Sequence, residues 1–247
     1  MSARDRPNIL YLVADQQKAP ATAPYGNRLI ECPCTTRFAR DGVLFGNAHV
    51  VSTICTPSRA SVMTGVHPLV HQVTCWQNKA PWNLPQLAEL FAAGGDYTGV
   101  AGHYELGRHF GRGWHEQTDL RSTEGGLYEA LEQKYGHGRA DCGWSSGGLD
   151  IPAAEGHSAR LADVGIEMIE NASSSGAPFF IHVSFNDPHP PYFIPPRTMP
   201  WWTQSRSNFP IPVAPGAPNG IHRRDARSAT RRRPTRSCAR HWPSTTA

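Results

Sequence analysis

Three short apolar runs rich in β-forming residues give way in each case to polar residues, Gly or Pro: NILYLVA at 8–14, YTGVA at 97–101 and FFIHVSF at 179–185. Runs of this kind suit strands buried on both faces. Helical patterns lie between them. Asn83 can cap a helix running through LPQLAELFAAGG, where the early Pro85 costs little and Gly94 and Gly95 supply the stop. A second pattern covers 159–171, with Leu161, Val164 and Met168 at spacings of three and four. A shorter run, Val43 to Phe45, is a further strand candidate. Strands alternating with helices predict an α/β fold, a mostly parallel sheet flanked by helices. Its ligand site should lie beyond the carboxyl ends of the strands. Asp15, 102–105 and 186–189 stand at those ends.

The chain has 247 residues, enough to bury a sizeable core. Its 23 Gly and 22 Pro fall short of the share, about 25–30%, that marks low-complexity chains. No apolar run approaches the roughly 20 residues of a bilayer span. The start, MSARDRPNIL, has no hydrophobic segment followed by a small-residue cleavage site. The expectation is a soluble, cytoplasmic protein with no membrane partner. Six Cys with no Cys-x-x-Cys pair are then expected as reduced thiols; Cys32-Pro33-Cys34 has no nearby pair at zinc spacing.

The formal charge of +4 comes from one end of the chain. Residues 221–247 hold eight Arg and one Asp, whereas 1–220 hold 16 basic and 19 acidic side chains. Apolar content and periodicity also vanish after about Ile211. Two regions are therefore expected: a folded region at 1–212 and a Pro/Arg-rich tail at 213–247 that is disordered. Clustered Arg can attract polyanions, so a basic arm is the competing reading of the tail; the charge belongs to the tail alone, and nucleic acid is not the expected partner.

Residues 55–65 read Cys-Thr-Pro-Ser-Arg-Ala-Ser-Val-Met-Thr-Gly. Pro57 suits a first helical turn and Gly65 suits its end, which puts Cys55 at a helix N-terminus. Free amide N–H groups and the positive dipole end favour an anion there, and Arg59 adds a fixed charge one turn on. Cys-x-Pro-Ser-Arg followed by Met-Thr-Gly resembles the signature of type I sulfatases, of the alkaline phosphatase superfamily. Arg6-Pro-Asn-Ile-Leu with Asp15, Tyr25-Gly26-Asn27, Asp41-Gly42-Val43-Leu44-Phe45 and Asn186-Asp187-Pro188-His189-Pro190-Pro191-Tyr192 are similar to further landmarks in the same order. The likeness covers roughly residues 6–200.

The resemblance implies an alkaline phosphatase-like fold and a hydrolase of sulfate monoesters, with a small-molecule sulfate ester as substrate. Cys55 would be oxidised to formylglycine by a maturation enzyme and serve as nucleophile and metal-facing group. Arg59 would support it, Asp15 would bind a divalent cation (Ca²⁺ in most relatives), and His189 would contact substrate. Gln16 and His103 are secondary candidates, for metal and anion respectively. Gln16 stands where many relatives carry a second Asp. Gly102-His103-Tyr104-Glu105-Leu106-Gly107 replaces the usual Gly-Lys-Trp-His-Leu-Gly, so Glu105 is a possible acid or extra ligand. The family's second pair of metal ligands lies in a Ser-Asp-His-Gly-like stretch, which this sequence lacks. The fold is accordingly expected to be cut short, with the Arg-rich tail an out-of-frame reading. Two alternatives stay open: a phosphodiester or phosphonate monoester hydrolase of the same superfamily, and a catalytically incompetent fragment.

Overall fold

A computed structural model describes residues 6–75, 78, 83–104, 106, 112–119, 146–148, 152–190 and 192–194. All lie in one compact unit, Met1–Pro200; the tail at 213–247, Trp201, Trp202 and Glu105 fall outside the described residues.

Four parallel strands form the main sheet: β1 (Ile9–Ala14), β2 (Tyr97–Gly102), β3 (Glu116–Thr118) and β5 (Phe179–Phe185), in the order β1-β5-β2-β3. A separate parallel pair joins β4 (Ser146–Gly148) to β6 (Tyr192–Ile194). Helices cover both faces of the main sheet. On one, α2 (Cys55–Thr64) and α4 (Leu87–Ala93) contribute Ala60, Met63 and Ala88 to a core with Val100, Tyr104, Trp114 and Phe180. On the other, α5 (His157–Ser175) lays Leu161, Met168 and Ala172 on Ala101, Ile181 and Val183. Two further helices, α1 (Pro33–Asp41) and α3 (Pro68–His71), complete the set. No described helix is long and apolar enough to cross a membrane.

The local chemistry accounts for most of these boundaries. Helix α2 carries Pro57 in its first turn and ends where Gly65 turns left-handed, φ 70°. Helix α4 starts later than Asn83 suggests, because Gln86 and Glu89 close a reciprocal capping box: the Gln86 N–H donates to Glu89 Oε2 at 2.8 Å. Helix α5 extends beyond 159–171 at both ends and stops at Gly176.

Two expectations need correction. Strand β1 is not buried on both faces: Leu10 and Leu12 are 44% and 50% exposed. It lies at the end of the strand order, while α5 packs on β5 and β2. Val43–Phe45 is not a strand, and Val43 and Phe45 stand in solvent. Tyr25 Oη donates to the Phe45 carbonyl at 3.0 Å, occupying a group that a ladder would need.

At the carboxyl end of the sheet, Gly102 makes the approach of two strands possible. Its φ is +86°, and a Cβ there would lie 2.3 Å from the Ser184 carbonyl oxygen and 2.8 Å from Leu161 Cδ2. The next residue, His103, donates its N–H to that carbonyl at 3.0 Å.

Candidate active site

The ends of β1, β2 and β5 meet the start of α2. Asp15 follows β1 directly, is 7% exposed, and has its backbone N–H bonded to the Phe185 carbonyl at 3.1 Å. Cys55 opens α2, where no side chain caps the helix, and Arg59 follows one turn later.

The Asp15 carboxylate is the centre of the cluster. One oxygen, Oδ1, lies 3.7 Å from Cys55 Sγ, so a thiol hydrogen at Cys55 donates weakly to it. The other, Oδ2, accepts from Arg59 Nη2 at 2.9 Å and lies 3.9 Å from His103 Nε2. Arg59 Nη1 donates to the His103 carbonyl at 2.5 Å and to Ser184 Oγ at 2.8 Å. One guanidinium thereby ties together residues at three strand ends. A bond to an ionised partner is stronger than a neutral one, and burial reduces its screening.

Helix α2 is fixed from behind. His71 is buried, accepts the Val73 N–H on Nδ1 at 3.0 Å, and faces Ser61 Oγ with Nε2 at 2.9 Å. With Nδ1 an acceptor, Nε2 carries the proton and donates to Ser61. Burial pushes the His71 pKa down, which favours this neutral form.

The structure thus brings Asp15, Cys55, Arg59 and His103 into one cluster. Gln16 is exposed, with left-handed backbone at φ 57°. His189 follows the cis Asp187–Pro188 bond, and its Nδ1 donates to the Pro190 carbonyl at 2.6 Å, apart from the cluster's contacts. The Asp187 carboxylate on that loop accepts from Ser158 in the first turn of α5.

Two residues escaped the sequence reading. Ser184 holds Arg59. His182, two residues earlier on the same strand face, lies against Tyr11, Tyr104 and Trp114 with ring centroids 4.9, 6.1 and 6.4 Å away. Neither His182 nitrogen has a hydrogen-bond partner. Burial first, and then Arg59, pushes its pKa down to about 3, so the ring is neutral. The available signal was the alternation in FFIHVSF, which puts a His and a Ser on one face of an apolar strand.

Residues 7–204 match the family model described as Sulfatase. The chain belongs to the sulfatase family. Iduronate 2-sulfatase from Mus musculus is 26% identical over 211 residues, 78% of this chain and 37% of that protein. An ulvan-active sulfatase from Formosa agariphila is 40% identical over 65 residues, 26% of this chain and 13% of its own length. Among solved structures, one in complex with its substrate D-glucosamine-2-N,6-O-disulfate superposes with a TM-score of 0.65 at 22% identity. It covers 84% of this chain, which covers 40% of it. The phosphonate monoester hydrolase of Agrobacterium radiobacter gives a TM-score of 0.59 at 21% identity, covering 77% and 43%. These likenesses show the alkaline phosphatase-like sulfatase fold. This sulfatase-family chain covers less than half the length of each relative named here.

Against the cation expected for the family, the donor set fits in kind but falls short in number. A hard divalent ion such as Ca²⁺ takes six to eight oxygens. Asp15 offers a carboxylate, and Arg59 already engages one of its oxygens. No group of three or more His, Cys, Asp or Glu is placed to hold a metal ion among the described residues.

Proposed function

We propose that this chain carries the nucleophile half of a sulfate-ester hydrolase, with Cys55 the precursor of formylglycine. The observation that carries the reading is the placement of Cys55: first residue of an uncapped helix, within 3.7 Å of a carboxylate that an arginine holds in position. The hydrated aldehyde supplies two hydroxyls, one to attack sulfur as the S–O ester bond breaks, the other to re-form the carbonyl as inorganic sulfate leaves.

The chain's own residues prepare that position. Asp15 Oδ1 can accept a hydrogen bond from a hydroxyl at 55, turning its oxygen lone pair outward. Arg59, tethered to His103 and Ser184, holds the Asp15 carboxylate in place. The positive dipole end of α2 favours the negative charge of a sulfate ester, and the His103 imidazole lies on the same carboxylate as Arg59. The maturation enzyme that oxidises Cys55 and a small sulfate ester are the partners this reading requires. A phosphonate monoester is the competing substrate, since the same hydroxyl can attack phosphorus and the fold is shared with two phosphonate monoester hydrolases.

The test is hydrolysis of an aryl sulfate and of a phenylphosphonate monoester by the chain co-produced with a formylglycine-generating enzyme, beside its Cys55→Ala variant. Sulfate release that disappears in the variant supports the reading. Phosphonate cleavage alone selects the competing substrate. Sulfate release unchanged by Cys55→Ala overturns the role of Cys55. No hydrolysis with the aldehyde in place shows that the chain alone is not the catalyst.

A further inference from the structure

We infer that His182 is a positioning residue for Arg59: its uncharged ring backs the strand face on which the guanidinium is anchored, and a proton on that ring releases the first turn of α2 from the strand ends. The inference rests on the reading of Cys55 as the group this turn presents. Its test follows the Cys55 thiol, so it depends neither on oxidation of Cys55 nor on cleavage of any ester.

The case begins with the place of the ring. Alternate residues of a strand share a face, so Phe180, His182 and Ser184 point to one side of β5. Phe180 packs there with Ala60 and Met63 of α2 and Ala88 of α4. His182 is buried, pairs in register with Tyr11 on β1 and Val100 on β2, and meets no hydrogen-bond partner at either nitrogen among the described residues. Two orphaned nitrogens cost stability that a phenylalanine in this aromatic cluster would not. A residue that breaks a local rule in this way points to a use.

The groups facing the ring decide what a proton there does. Tyr11 comes from β1, Tyr104 from the segment after β2 and Trp114 from the segment before β3. Burial pushes both tyrosines up, so they stay neutral phenols. Glu89 of α4 is engaged by Arg112. The formal charge that bears on the ring is that of Arg59, and no carboxylate bonds either nitrogen.

Arg59 is also the tether of α2. It donates to the His103 carbonyl at 2.5 Å, to Ser184 Oγ at 2.8 Å and to Asp15 Oδ2 at 2.9 Å. Ser184 stands two residues beyond His182 on the same face. A proton on His182 puts a second buried, unpaired positive charge beside that anchorage, and the cost is relieved when Arg59 leaves Ser184 and water reaches the ring. Cys55, one turn before Arg59, moves with it. The closed ring takes a proton only at about pH 3, whereas a ring in water takes one at 6.5. Between those values each unit of acid raises the ratio of open to closed about tenfold.

The experiment labels the full chain with dithiodipyridine between about pH 5 and about pH 6.5, reading Cys55 and Cys34 separately by peptide mass spectrometry. Cys34 is exposed on α1 and corrects for thiol ionisation, which changes both cysteines alike at these pH values. In wild type the ratio of Cys55 to Cys34 labelling should rise toward low pH by up to about tenfold per unit. It should stay level in His182→Phe, which keeps the aromatic packing, and in His182→Gln, which keeps a polar group without a titrating one. A level ratio in wild type would overturn the inference, as would a rise of the same size in either variant. The series is repeated in urea well below the unfolding transition. Cys55 labelling that climbs with urea as steeply as global unfolding would also overturn it, because the whole chain and not the first turn of α2 would then be opening.

Discussion

Gly102→Ala tests how the strand ends are brought together. A Cβ at this position carries two separable costs. The first is backbone: φ is +86°, a conformation that costs an L-residue about 1–2 kcal/mol. The second is contact: the added carbon would sit 2.3 Å from the Ser184 carbonyl oxygen and 2.8 and 3.2 Å from the two Leu161 Cδ atoms. Leu161 can rotate, but a carbonyl inside a ladder cannot, so β2 and β5 must separate. Forced overpacking of this kind costs about 1–3 kcal/mol. Gly176→Ala isolates the first cost, because Gly176 has φ +70° and nothing within 4 Å of the added carbon. Urea unfolding should therefore show Gly102→Ala destabilised by about 2–5 kcal/mol and Gly176→Ala by about 1–2 kcal/mol. The separation also pulls the His103 carbonyl from Arg59, so the damage reaches the cluster. Equal losses in the two variants would refute the reasoning, since the close approach would then carry no energy.

His182 provides a pH test. The folded chain refuses a proton that the unfolded chain takes up near pH 6.5, because burial holds the folded pKa at about 3. Stability is thus full above 6.5 and falls by about 1.4 kcal/mol per pH unit as acid is added toward 3. His182→Phe removes this slope, and it also replaces two unpartnered nitrogens with carbon. Urea unfolding at about pH 5 and about pH 7.5 should show a smaller difference in the variant, and an identical slope in both proteins would count against a neutral buried ring. The exposed apolar face of β1 predicts concentration-dependent self-association. Leu12→Lys should weaken it in size-exclusion chromatography, and unchanged elution would show that this face is not the contact.

The sheet was legible where a strand is mostly apolar and ends abruptly. Phe179–Phe185 has the bounds read from the sequence, and β1 ends at Ala14 with Asp15 beyond it. Helix α2 was legible because Pro57 and Gly65 each allow few alternatives. The failures trace to partners distant in sequence. Whether β1 is covered depends on where α5 lies, which its own residues do not encode. Phe45 misled because apolar character does not reveal that Tyr25 has taken its carbonyl.

The site divides in the same way. Asp15 was singled out by its place at a strand end and Cys55 and Arg59 by their motif, and the fold brings the three side chains together. Ser184 is an ordinary serine until the 2.8 Å contact from Arg59 gives it a task. Gln16 and His103 follow Asp15 and Gly102 at the ends of β1 and β2, on either side of β5, yet they differ. His103 turns back over the cluster with its N–H on Ser184, while Gln16, at φ 57°, stays in solvent.

Mass spectrometry of the proteolytic peptide carrying Cys55, after co-production with an active formylglycine-generating enzyme, tests the central claim most directly. Oxidation of the thiol to the aldehyde lowers the peptide mass by about 18 Da, a change outside the ordinary sulfenic-to-sulfonic ladder, where each step adds oxygen. The account predicts that loss at Cys55 and at no other cysteine. A Cys55 that remains a thiol beside a working maturation enzyme would contradict it.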